Sequence, residues 1–167
     1  MLGVGCWLNL ISPLVLESDM NRYVLSGLEF GPVVVERIIG QLDPKKLDTR
    51  SAEGRFTPRE VAAHLADWEP ILMGRIQQSV EQPGSVLATY DDDKSNERKY
   101  SESNVTEQLA AFAQRRKATV AYLKNLQRDE WEKSAVHPER GAMTVLEWAA
   151  AIMGHDMYHI EQLTAVW

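Results

Sequence analysis

Two four-residue motifs set the frame of this chain. Thr57-Pro58-Arg59-Glu60 and Thr144-Val145-Leu146-Glu147 each put a Thr at a helix start and a Glu three residues later. This is the reciprocal capping box, in which two side chains satisfy N–H groups that a helix start leaves open. In the first motif Pro58 takes the first helical position, where a missing N–H does no harm. Behind it, Val61, Leu65, Trp68, Leu72 and Ile76 recur at helical spacing and predict one apolar stripe, ended by Pro83-Gly84. Behind the second, Trp148 and Ile152 mark the inward side of a helix expected to reach about residue 166.

Two more segments carry the same period. Val24, Leu28, Val35, Ile38, Ile39 and Leu42 predict a helix over 20–42, kinked at Pro32 and closed by Asp43-Pro44. Val105, Leu109, Phe112, Val120 and Leu123 predict a third helix over 104–126, with Arg115, Arg116 and Lys117 expected on a solvated face. Four long amphipathic segments without strand-like alternation imply an all-α fold, a four-helix bundle. The connections 43–57, 83–103 and 127–143 are long enough for crossovers, so a simple up-down-up-down order is not required. The second is polar, with Asp91-Asp92-Asp93 at its middle. It reads as a surface loop, because the glycine and terminal glutamate of a calcium-binding EF-hand are missing. Trp131 is the expected anchor of the third connection.

A chain of 167 residues suits a single domain, assigned here to 20–167. Residues 1–19 are apolar, lack Lys and Arg, and read as an N-terminal extension: upstream sequence ahead of Met20, or an extra docking segment. They lack the basic start of a signal peptide, and Asn9 and Pro13 make a poor membrane span. No membrane partner is expected. A net charge of −6 offers no basic face for phosphates, so nucleic acid is not an expected partner either. The single cysteine, Cys6, rules out an internal disulfide and a Cys-based zinc site, and a reducing cytoplasm fits it.

Three of the four histidines fall within predicted helices. His155 and His159 are four residues apart, so they share a face with Cβ atoms about 5–6 Å apart and can reach one metal ion. His64 lies beside the stripe of the second helix, about 9 Å beyond its start at 1.5 Å per residue. The midpoint of His155 and His159 lies about 14 Å from the end of the fourth helix. The three side chains are therefore at comparable depth if the two helices are antiparallel; parallel helices would separate them by about 10 Å. Imidazole suits zinc, nickel, copper and iron. Three protein ligands leave a coordination position open, the pattern of a catalytic site.

Three stretches, in order, carry a resemblance to a known family. Residues 57–69, TPREVAAHLADWE, resemble the first signature of the DinB-like (YfiT-like) metalloenzymes, and residues 154–163, GHDMYHIEQL, the second. Residues 137–144, HPERGAMT, are similar to the loop before the last helix in that family. The resemblance covers about 22–165. It implies a bundle in up-down-down-up order, with the second and fourth helices antiparallel. It further implies His64, His155 and His159 as ligands of a divalent metal, most often zinc or nickel, and frequent homodimers. Relatives include metal-dependent transferases that use a low-molecular-weight thiol such as bacillithiol, mycothiol or glutathione, and a thiol-dependent isomerase. Residues 1–19 and Pro32 depart from the pattern.

These readings lead to an expected chemistry. Three neutral imidazoles leave the charge of a divalent ion uncompensated, so a coordinated thiol would ionise at neutral pH. Cys6 lies in the extension, so the thiol would be a small-molecule cosubstrate acting on an electrophilic small-molecule substrate. Hydrolysis by metal-activated water, or metal and ligand binding without catalysis, are the alternatives. Asp156 stands where the Glu of H-E-x-x-H peptidases acts as general base; it is a candidate base, or else an interhelical partner. Asp67, one turn from His64, is a candidate to orient that imidazole or to form a surface salt bridge. Gln162, one turn past His159, is expected to line the site or to satisfy a buried carbonyl. Trp68 and Tyr158 are expected in the pocket wall or in the core, and His137 in a structural role.

Overall fold

The computed structural model describes residues 13–90 and 99–167, with side chains from 21 onward. Four helices form the body: α1 (Pro13–Gln41), α2 (Pro58–Glu81), α3 (Val105–Asn125) and α4 (Val145–Thr164). Both predicted capping boxes are present, with Thr57 accepting from the Glu60 N–H and Thr144 from the Glu147 N–H. The first helix begins ahead of the expected start at Met20, and the Asp91-Asp92-Asp93 reading lies outside the described residues.

Helices α1 and α2 each pack on α3 and α4. Residues that meet across the contacts fix the directions. Along α2 from Arg59 to Glu69, partners on the α3 side run upward from Ser103 to Arg116, so α2 and α3 are parallel. Along α2 from His64 to Arg75, partners on α4 run downward from His155 to Trp148, so α2 and α4 are antiparallel. Gly27 approaches Met153 and Gly31 approaches Asp156, so α1 runs with α4. The order is up-down-down-up. Two apolar clusters fill the interior: one around Leu28, Ile76, Leu123, Trp148 and Ile152, the other around Val35, Val61, Leu65, Phe112 and Leu163.

One addition was not expected from the sequence. Residues before α4 form an antiparallel hairpin, β1 (Ser134–His137) and β2 (Gly141–Thr144), where helical and strand patterning were both absent. Four residues per strand are too few to show an alternation that stands out. Gly141 closes the turn in the left-handed region, at φ 78°. The chain leaving α2 pairs with β1 through Leu87 N–H to Val136 O and Val136 N–H to Ser85 O, which ties the hairpin to the bundle.

The basic triplet corrects an expectation. Arg116 is 2% exposed, the opposite of the solvated face predicted for it. All five of its N–H donors are used. Nε and Nη2 donate to Glu69 on α2 at 2.8 Å each, Nη2 and Nη1 donate to both oxygens of Asp156 on α4, and Nη1 also donates to Leu28 O on α1 at 3.2 Å. Thr119 adds a hydrogen bond to Glu69 at 2.7 Å. Burial disfavours the cation, but the hydrogen bonds to Asp156 and Glu69 outweigh it and hold the guanidinium charged.

The last of these bonds explains Pro32. A helical carbonyl normally accepts from the residue four positions on, and Pro32 has no N–H to offer Leu28 O. Arg116 supplies the missing donor. Pro70 does the same in α2: it leaves Ala66 O without its helical donor, and Arg115 Nη1 donates there. Two consecutive arginines of α3 thus repair two proline breaks on the neighbouring helices. Gly31 is required beside the first, because a Cβ there would collide with the Asp156 carboxylate.

Removal of the shared cation would strand two buried carboxylates. Arg116→Met is expected to lower unfolding free energy in urea by about 3–5 kcal/mol. The triple variant Glu69→Leu, Arg116→Met, Asp156→Leu should recover most of that loss, since an apolar replacement of the whole cluster leaves no charge behind.

Candidate metal centre

The face of α2 turned toward α4 carries His64, Trp68, Leu72 and Arg75 at successive helical turns. Opposite them on α4 stand His155 and His159. His64 Nε2 lies 3.0 Å from His155 Nε2, and His159 Nε2 lies 3.1 Å from the same atom. The candidate ligand atoms of all three residues fall within 4.8 Å of one another. A tetrahedral zinc ion with Zn–N bonds of about 2.0–2.1 Å holds its ligands about 3.3 Å apart. Both separations from His155 Nε2 therefore match the spacing that one divalent ion needs.

The surroundings hold these rings in the form that binds metal. Gln162 Oε1 lies 2.9 Å from His159 Nδ1 and accepts its proton, which leaves Nε2 to face the other two rings. Burial drives the His155 pKa down to about 3, helped by repulsion from His159, Arg116 and Arg140. Burial likewise brings His159 down to about 4, against the Gln162 hydrogen bond and together with Arg55. Neutral imidazole is thus the resting form of His155 and His159 across the physiological range.

Phe56 packs against two of the rings, stacked on His159 with centroids 6.0 Å apart and tilted against His64 at 4.9 Å. Together with Trp68, Arg75, Arg140, Trp148 and Tyr158 it walls a pocket of about 320 Å³ whose floor holds the three histidines. Phe56 was not singled out in the sequence, yet a signal existed: it stands just before the Thr57 cap, where an apolar residue staples onto the first helical turns. Arg75 was legible as the next member of the His64–Trp68–Leu72 face. Arg140 projects from the hairpin turn and had no such signal.

The other named residues divide between pocket and frame. Trp68 and Tyr158 line the pocket; the Arg55 guanidinium lies over the Tyr158 ring at 5.1 Å and pairs with Glu161. Asp67 accepts a hydrogen bond from the Tyr100 hydroxyl at 2.7 Å, and the Tyr100 ring stands edge-on to His64 at 5.8 Å. Asp156 is 2% exposed and its two oxygens are both engaged by Arg116. It therefore joins α4 to α3, facing away from the ring of its neighbour His155. His137 is buried against Trp148 and accepts the Glu139 N–H on Nδ1.

The depressed histidines make apo stability pH-dependent. Their folded pKa values lie below the unfolded value near 6.5, so the unfolded chain binds more protons between the two. Stability is complete above pH 6.5 and falls as the pH drops through 6.5 toward 4 and 3. The melting temperature of chelator-treated protein should follow that curve. His155→Ala with His159→Ala should flatten it, and an unchanged slope would contradict the assignment.

Comparison with known proteins follows the same lines. A protein of Bacillus mycoides named a "putative metal-dependent hydrolase" is 26% identical over 152 residues, covering 91% of this chain and 87% of that one. A counterpart of the same description from Oceanobacillus iheyensis is 22% identical over 147 residues, covering 88% and 85%. In three dimensions the bundle is similar to YfiT from Bacillus subtilis, with a TM-score of 0.81 at 22% identity over 87% of this chain and 85% of that one. It is also similar to a mycothiol-dependent maleylpyruvate isomerase, with a TM-score of 0.70 at 14% identity, over 86% of this chain and 60% of that one. These two likenesses bear on the fold. The relatives named for metal dependence and the three-histidine cluster together point to a divalent metal. Among the described residues no helix is long and apolar enough to cross a membrane. The DinB superfamily profile matches residues 28–163, and the chain belongs to that superfamily.

Proposed function

We propose that this protein is a metal-dependent enzyme of the S-transferase type, acting on a low-molecular-weight thiol and an electrophilic small molecule. The observation that carries the reading is the convergence of three Nε2 atoms on the floor of an open pocket. His64, His155 and His159 would hold the ion, zinc or nickel as the family resemblance implies. When bound by three neutral imidazoles, such an ion keeps its full charge and lowers the pKa of a thiol or water that reaches it.

The chain's own groups favour a thiol over water. No carboxylate lines the pocket among the described residues, and Asp156 is committed to Arg116. A nucleophile must therefore ionise without a protein base. On such an ion water would ionise near pH ~7 and a thiol would be deprotonated outright, so the thiol is the more fully ionised of the two at neutral pH. Phe56, Trp68 and Trp148 exclude solvent from the approach, and Gln162 keeps His159 Nε2 turned inward. Hydrolysis is the second reading, supported by the names of the curated relatives. A cytoplasmic location fits the single cysteine. A homodimer fits the exposed Tyr23, Phe30 and Val33 on α1.

Purified protein should carry about one divalent ion per chain, and His64→Ala should carry almost none, by elemental analysis. Zinc-loaded protein should consume a chloronitrobenzene electrophile only when a small thiol is added, a rate that His64→Ala abolishes. Turnover of an ester in the absence of thiol would instead select the hydrolytic reading. Gln162→Leu should retain the fold and weaken metal affinity by about 10–100-fold, since its role is to fix one ligand ring.

A further inference from the structure

Two consecutive residues ahead of α2 reach across to α4. Arg55 pairs with Glu161, and its guanidinium lies over the Tyr158 ring at 5.1 Å. Phe56 sets its ring within 13° of parallel to that of His159, and tilts against His64 with centroids 4.9 Å apart. It therefore packs on one candidate ligand ring from each of the two helices that build the triad. Of the other aromatic side chains around His64, Trp68 stands farther off at 5.6 Å and Tyr100 at 5.8 Å.

Phe56 is itself held in place. It leads directly into the capping box of α2, where Thr57 N–H donates to Glu60 Oε2 at 2.8 Å and Glu60 N–H donates to Thr57 Oγ1 at 3.2 Å. Arg50 Nη2 donates to the other Glu60 oxygen at 2.8 Å. The Phe56 ring also meets the edge of Tyr100 at 6.1 Å, and the Tyr100 hydroxyl donates to Asp67 at 2.7 Å. The cap fixes the backbone, and Tyr100 limits the ring.

The last torsion of a histidine side chain is soft, so neighbours set the plane of its ring. Gln162 fixes the edge of His159 at Nδ1 but leaves rotation about that hydrogen bond. A near-parallel ring against the imidazole face opposes that rotation, and offset stacking at this separation is favourable. We infer that Phe56 is a positioning residue of the metal centre: its flat ring sets the planes of His64 and His159 so that both Nε2 atoms face His155 Nε2. The inference rests on the reading of the triad as a metal site. It gives the capping box a second task, because the turn that starts α2 also delivers the ring that aligns ligands from α2 and α4.

The test is metal binding by Phe56→Leu, which keeps apolar bulk ahead of the cap without a flat face, beside Phe56→Tyr, which keeps the face. Zinc affinity is measured by competition with a chromophoric chelator. The cobalt-loaded protein is read by its visible d–d absorption, which responds to ligand geometry. Phe56→Leu is expected to weaken zinc binding at least about tenfold, the low end of the cost of losing a group that orients a ligand ring. It should also change the cobalt spectrum, while Phe56→Tyr keeps both near wild type. A hydrophobic staple alone would show differently: Phe56→Leu would lower the melting temperature of metal-free protein and leave zinc affinity and cobalt spectrum unchanged. That result would overturn the inference, as would a Phe56→Tyr variant as weak in zinc binding as Phe56→Leu. Zinc lost by His64→Ala but kept by Phe56→Leu sinks this inference and leaves the metal site standing. Wild type that binds zinc no better than His64→Ala sinks both.

Discussion

One guanidinium joins all four helices. Arg116 on α3 reaches a carboxylate on α2, a carboxylate on α4 and a carbonyl on α1, and no donor is left over. A buried ion cluster of this kind adds little net stability over an apolar core, because desolvation offsets attraction. Its value lies in register. Each contact has a fixed length and direction, whereas apolar side chains tolerate sliding. Asp156 is adjacent to His155, and Glu69 lies little more than one turn beyond His64. Fixing the two carboxylates on one cation therefore fixes the rotation of α2 and α4 that brings the three imidazoles together.

The prolines belong to the same device. A proline within a helix normally weakens it by removing a hydrogen bond. Here Pro32 and Pro70 each release a carbonyl that a neighbouring arginine then takes. The freed carbonyls become contacts between helices, and the bond lost within one helix is replaced across a gap. Pro32, taken alone, looks like a departure from the family pattern; beside Arg116 it becomes part of the packing.

What could be read from the sequence was whatever depends on local spacing. The capping boxes at Thr57 and Thr144, the apolar stripes and the i, i+4 histidine pair are local, and each is found where it was expected. The depth comparison that joined His64 to the pair needed only the rise of a helix and a direction. Arg116 was misread because charge next to charge in Arg115-Arg116-Lys117 looks like a solvated face. Its burial depends on Glu69 and Asp156, which are 47 and 40 residues away in the chain. Arg140 was invisible for a like reason: its position depends on a hairpin too short to announce itself.

The same separation explains how the site can be both rigid and open. The interior carboxylates Glu69 and Asp156 are both taken up by Arg116, so the candidate ligand set among the described residues is three imidazoles. An ion held there gains no neutralising carboxylate from the protein and keeps its electrophilic character. The walls above it are aromatic, with positive charge at the rim. The protein ligands grouped there are thus imidazoles, with no carboxylate among them in the described residues. That follows from where the fold spends the carboxylates of Glu69 and Asp156, on the helix junction instead of on the ion.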